Sequence, residues 1–337
     1  MKHLKIILFL TSFSLALLLA SCEMEDIGLL RKLVDDRWVS QKTGTDSPIR
    51  DISFVDNRQG WALGYETILR TQNGGETWEK LSPPGFVPGG TIYFSDASNG
   101  WVNAVDQGLL KTTDGGNTWS TISVNSYIRQ FFPLNAQIAW AVTTDQTILK
   151  TEDGGETWDE YEFLYNVAAM QFINEQVGWA AGYGNEILKT EDGGRTWIDQ
   201  SFKGQGGQIE INDFQDAFFL DEITGWIIGN GPGTGNQIGS YLLKTTDGGQ
   251  TWHSQLLGSN SYPPLAQDIH FVDSQTGYIV GNENERGVIL STTDGGQTWA
   301  KEQLLTSKEL CCLYVSNEQE IWVAGDEGAM FYSEKEQ

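Results

Sequence analysis

Six stretches of the chain set a carboxylate, or its amide, beside paired glycines: "TQNGGETW" at Asn73, "TTDGGNTW" at Asp114, "TEDGGETW" at Asp153, "TEDGGRTW" at Asp192, and "TTDGGQTW" at both Asp247 and Asp294. An aspartate followed by glycines can be a metal loop, a catalytic acid or a turn. A calcium loop supplies oxygen ligands at alternate positions, and each of these stretches has at most one carboxylate to give, so no metal is expected here. A catalytic acid is needed once rather than six times. The turn remains. Its Asp or Asn is expected to accept hydrogen bonds from backbone N–H groups two or three residues on, its glycines tolerate positive φ, and Thr and Trp open the next strand.

A second set of candidates lies between these boxes. Arg50 and Arg129 occupy equivalent places in their repeats, and each guanidinium could bind a carboxylate or phosphate bidentately. Gln215, Gln267, Asp216 and Asp268 occupy matching places in later repeats. The candidate binding set is Arg50, Arg129, Asp216, Gln267 and Asp268. The competing reading pairs the arginines with Asp51, Asp216 or Asp268 as braces between neighbouring repeats. A glycosidase would need two carboxylates a few ångströms apart, but with 45 acidic residues some pair is always on offer, so Asp216 and Asp268 carry little specificity. His270 near Asp268 is read as a solvated or inter-repeat histidine in preference to an acid–base partner. No nucleophile elbow, zinc spacing or dinucleotide fingerprint appears, and no catalytic residue or cofactor is assigned.

The elements that hold these residues follow from the spacing. Successive boxes stand 41, 39, 39, 55 and 47 residues apart, about the length of a four-stranded propeller blade. A second signal runs in phase: "FVDNRQGWALG" at Phe54, "FSDASNGWVNA" at Phe94, "FINEQVGWAAG" at Phe172, "FLDEITGWIIG" at Phe219 and "FVDSQTGYIVG" at Phe271, with weaker copies at Pro133 and Val315. Each unit parses as four short strands; in the first they are 49–55, 61–65, 67–71 and 77–81. The last unit stops after its third strand. "RWVSQ" at 37–41 matches the strand after a box, and Trp38 sits 40 positions before Trp78. The expectation is an all-β, seven-bladed β-propeller over 35–337 whose last blade is closed by an N-terminal strand, which removes the open edge.

"TTDGGNTW" resembles the Asp-box, or bacterial neuraminidase repeat, S/T-x-D-x-G-x-T-W. In families that carry it, the box is structural and lies far from the active site. With "F-x-D-x-x-x-G-W-x-x-G" ahead of each box, the pattern is similar to propellers related to the photosystem II assembly and stability factor. That resemblance implies a fold and a binding role. Sialidase chemistry fits poorly: "SPIRDISF" at 47–54 stands where that family has "RIP", and only Arg50 and Arg129 are placed for a clamp needing three arginines.

Alternation fixes the faces. The turns between first and second strands and the boxes share one face; the remaining connections share the other. The variable segments 83–90, 203–213, 230–239, 258–265 and 282–287 all fall on that second face, where loops on a rigid scaffold carry recognition.

The N-terminus has its own signal. Lys2 and Lys5 precede an apolar run from Ile6 to Leu19, and "LASC" ends at Cys22. This resembles a lipoprotein signal, with residues 1–21 removed, Cys22 lipidated and 22–34 a tether, where 25–35 carries the one helix-like period of the mature chain. The net charge of −24 excludes nucleic acid as a partner. Cys311 and Cys312 are adjacent, without metal or redox spacing, and are read as buried thiols in preference to a strained vicinal disulfide. The functional expectation is a monomeric, non-enzymatic assembly platform, lipid-anchored at the bacterial outer membrane, on the cell surface or the periplasmic side. Its partner would be an envelope protein or peptide segment. The alternative is a glycan-active enzyme of sialidase-like architecture, or a glycan-binding propeller.

Overall fold

A computed structural model describes residues 37–81, 90–104, 108–163, 165–201, 211, 213–232, 238–258, 264–304, 306–316 and 320–333. The signal segment, Cys22, the tether and most of the segments at 83–90 and 203–213 lie outside the described residues, as does Tyr262.

The strands form seven antiparallel sheets of four strands each, in simple up-and-down order. The blades span 49–81, 92–122, 128–162, 167–199, 213–256, 265–301 and 310–333. The seventh is completed from the other end of the chain. Val39–Ser40 pairs antiparallel with Met330–Ser333, matching Val39 to Tyr332 and Ser40 to Phe331. The N–H of Gln41 extends the ladder to the Met330 carbonyl at 2.9 Å, and Trp38 is buried against Leu313 and Val323. The N-terminal closure expected from Trp38 is therefore present.

The phased sequence signal has a packing cause. The second strand of every blade is buried along its whole central length, so it reads as continuous small and apolar residues. Its Trp stacks on the inner-strand Phe of the next blade: Trp61 on Phe94 at 3.6 Å, Trp140 on Phe172 at 3.6 Å, Trp226 on Phe271 at 3.6 Å, and Trp322 on Phe54 at 4.0 Å across the closure. Such pairs add about 0.5–1.5 kcal/mol beyond area burial. Where a Gly precedes the Trp it is required, because the inner-strand Phe of its own blade lies where its Cβ would stand, as at Gly60 under Phe54. Where Pro133 replaces the Phe, Trp101 finds Phe131 at 5.6 Å and a tilt of 55°.

Candidate functional site

The boxes are turns, as their repetition implied, with one correction of detail. In the box at Asp114, Oδ1 accepts the Thr118 N–H at 2.9 Å, and Oδ2 accepts the Thr118 hydroxyl at 2.6 Å. The Thr112 hydroxyl donates to Asp114 at 2.8 Å and accepts the Gly116 N–H at 2.9 Å. The reach is four residues forward, longer than the two or three expected, because the Thr two places before the Asp serves the nearer N–H groups. The same bonds hold Asp153, Asp192, Asp247 and Asp294, and Asn73 repeats them with its amide. These bonds, chiefly from Thr118, pull the Asp114 carboxyl down to about 2. In four boxes the following glycine carbonyl receives the indole N–H of the preceding blade, as in Trp61 to Gly115 at 3.0 Å and Trp140 to Gly193 at 2.8 Å. Both carboxylate oxygens of each aspartate box are thus used inside the scaffold.

The inner strands form a belt around the channel. Asp51 Oδ2 accepts the Ile92 N–H of the next blade at 2.7 Å, Asp216 accepts from Ile269 at 3.1 Å, and Asp268 accepts from Leu313 at 2.7 Å. Gln130 donates to the Ala168 carbonyl, Gln171 bonds Phe219, Tyr93 donates to Leu134, and Tyr314 donates to Phe54 across the closure. Asp216 and Asp268 thus each commit one oxygen to a backbone N–H of the neighbouring blade. Each is half-buried, crowded by protein and aimed at the neighbouring blade. They also hydrogen-bond each other. Burial is the main force raising Asp51 to about 7, and it raises Asp216 and Asp268 too, Asp268 further because Asp216 lies beside it. A proton on one of the two avoids two adjacent buried charges. His270 does not reach Asp268; it packs on Phe218 of the preceding blade at 4.5 Å, and burial lowers it to about 4. Among the described residues, no group of three or more His, Cys, Asp or Glu side chains is arranged to hold a metal ion.

The arginines behave differently from the acids. Arg50 pairs with Asp326 of blade 7 at 3.1 Å and lies 5.3 Å from the Tyr65 ring centre, so its brace is not Asp51, Asp216 or Asp268. Arg129 is exposed and, among the described residues, makes no ion pair. Gln267 is half-buried at the start of its strand.

A feature of the inner strands carried no visible sequence signal. In six blades the pairing slips by one residue at the same place, leaving Arg50, Arg129, Ala168, Gln215, Gln267 and Cys311 as bulges. Bulges re-aim side chains at sheet ends. Here they mark the channel mouth on the loop face. Two connections read as irregular continue the pairing of their blades: Gly225–Pro232 pairs with Ile238–Thr245, and Gly277–Glu283 with Arg286–Thr292. The second turns on Asn284 and Glu285, both at positive φ (52° and 62°). Both rise from blades 5 and 6 on the loop face.

That face also carries the apolar surface. Tyr65, Tyr127, Tyr183, Ile238 and Leu265 are exposed there, led by Tyr127 at 70 % and Ile238 at 63 %. On the box face, Ile223 is the counterpart at 57 %. Ile198, on the outer strand of blade 4, is exposed at 54 %, so five of the seven exposed large hydrophobics among the described residues lie on the loop face, the face that also bears Arg50 and Arg129.

The model of the family described as photosynthesis system II assembly factor YCF48 matches residues 30–128, 89–164, 160–264 and 261–337, which is nearly the whole chain. The chain belongs to this family. The photosystem II assembly protein Ycf48 of Thermosynechococcus vestitus is 40 % identical over 43 residues, a match spanning 12 % of each protein. A solved structure of YCF48 bound to a D1 peptide superposes with a TM-score of 0.72 at 21 % identity, covering 89 % of this chain and 96 % of that one. YCF48 from Cyanidioschyzon merolae superposes at 0.70 with 20 % identity, covering 88 % and 98 %. At these identities the superpositions establish the shared fold.

Proposed function

We propose that the chain is a non-enzymatic assembly platform that binds a polypeptide segment across its loop face, held to the cell envelope by lipid on Cys22. The observation that carries the reading is the gathering of Tyr65, Tyr127, Tyr183, Ile238 and Leu265 on one face, around a mouth where Arg129 is unpaired among the described residues. Aromatic and arginine side chains are the usual anchors of protein interfaces. The channel acids are engaged in holding blades together, and the box acids in holding turns, so neither set is left for hydrolysis. Membership of an assembly-factor family, and the D1 peptide named for a relative of the same fold, support a polypeptide over a glycan.

The test compares faces. Tyr127→Ala and Arg129→Ala are expected to cut capture of a polypeptide from envelope extract by about tenfold each while leaving the melting midpoint in place. Ile223→Ala, on the box face, is expected to leave capture unchanged. Equal loss from all three variants, or none from any, overturns the reading.

A further inference from the structure

We propose that Cys311 and Cys312 form a thiol–disulfide exchange site at the loop-face mouth of the channel, with Cys311 attacking a small organic disulfide and Cys312 resolving the adduct. The inference is independent of what binds the loop face.

Adjacent residues in a regular strand point to opposite faces of the sheet and cannot bring their side chains together. Blade 7 departs from that rule at this spot. Its pairing runs from Leu310 with Gly325 to Cys312 with Ala324, so Cys311 is the bulge residue. The bulge leaves the two sulfurs close enough to influence each other, while Cys311 also donates to the Ile49 carbonyl and Cys312 to the Ala324 carbonyl. The equivalent bulges elsewhere hold Arg50–Asp51, Arg129–Gln130, Ala168–Ala169, Gln215–Asp216 and Gln267–Asp268, so blade 7 alone among these six has two sulfurs in that geometry.

The two thiols are unequal, as attacking and resolving roles require. Cys311 is half-buried, and its Sγ lies 3.0 Å from the Ile49 carbonyl. The Arg50 guanidinium lies beside the same sulfur and is itself fixed by Asp326 and the Tyr65 ring. A cation beside a partly accessible thiol is the setting that favours thiolate. Cys312 is buried, with Sγ 3.7 Å from the Ala324 carbonyl, and it faces Asp51 and Asp268. The adjacent Cys312 thiol, with Arg50 assisting, draws Cys311 down, while the same pairing and burial push Cys312 well up. That order makes Cys311 the nucleophile.

The chemistry balances without any further oxidant. The Cys311 thiolate forms a bond to one sulfur of R–S–S–R and expels RS⁻. The Cys312 thiol then loses its proton, bonds to Cys311 Sγ and expels the second RS⁻. Two protein thiols are oxidised, one disulfide is reduced to two thiols, and Arg50 loses its anionic sulfur partner.

The experiment uses the full chain carrying Cys22→Ser, which leaves Cys311 and Cys312 as the only thiols. The reduced protein is mixed, without denaturant, with an aromatic disulfide whose thiolate is coloured, and its intact mass is then taken. The expected result is two thiolates released per chain and a mass lower by two hydrogens with no adduct. Cys312→Ser, or Cys312→Ala if that folds better, should release one thiolate and keep the adduct on Cys311. Arg50→Gln should slow the first release about tenfold, and Cys311→Ser should slow it further. Release only in denaturant, a lasting adduct on the parent chain, or a Cys311→Ser variant as fast as the parent overturns the proposal.

Discussion

Oδ2 of Asp268 accepts the backbone N–H of Leu313 at 2.7 Å, across the seam between blades 6 and 7. Asp216 does the same for Ile269 one seam earlier, and burial raises both carboxyls, Asp268 further because Asp216 lies beside it. The inner strands are therefore fastened to one another by groups whose protonation is unusual.

A stability profile follows from those acids. Their folded pKa is raised, so the unfolded chain gives up these protons first, and stability falls as pH rises from about 4, with the Asp51 contribution lost by about 7. His270, lowered to about 4, works in the opposite direction between about 4 and 6.5. Asp268→Asn separates the two. Its amide can donate to Asp216 and accept from Leu313 without titrating, so the variant's melting midpoint should gain on the parent's as pH rises from about 5 to about 8. A variant that trails the parent equally at both pH values would show that Asp268 is not raised.

The boxes should matter for stability alone. Asp153 accepts from the Thr157 N–H at 2.9 Å and from its hydroxyl at 2.6 Å. Asp153→Ala is expected to lower the midpoint by roughly 2–4 °C without changing partner capture. Asp153→Asn should cost less, since Asn73 already fills this role in blade 1. Lost capture at an unchanged midpoint would give the box a functional role instead.

Much of this was legible beforehand. Seven blades and the strand at Trp38 follow from the spacing of boxes and tryptophans, because each Trp, Phe and Gly is fixed by a contact that recurs in most blades. Arg50 and Arg129 were placed at the mouth by counting alone. The bulges escaped because a one-residue slip is compatible with Arg, Ala, Gln or Cys and leaves no compositional trace. The roles of Asp51, Asp216 and Asp268 escaped because their partners are backbone N–H groups 41 to 53 residues away, which no local pattern reports. The connections of blades 5 and 6 looked irregular because glycine-rich and polar residues can also form paired strands when they stand clear of the core.

Lipid attachment is checked separately. Cys22→Ser should move the protein from the membrane fraction to the soluble fraction, with its fold intact, because the propeller core starts near Trp38. Retention in the membrane fraction would mean that lipid on Cys22 is not the anchor.

The central claim is that a polypeptide sits on the loop face. A photo-crosslinking residue placed at Tyr127 on that face, or at Ile223 on the box face, tests it most directly when the protein is irradiated in envelope membranes. The account predicts a crosslinked polypeptide from position 127 and none from position 223. Crosslinks from 223 alone would contradict it.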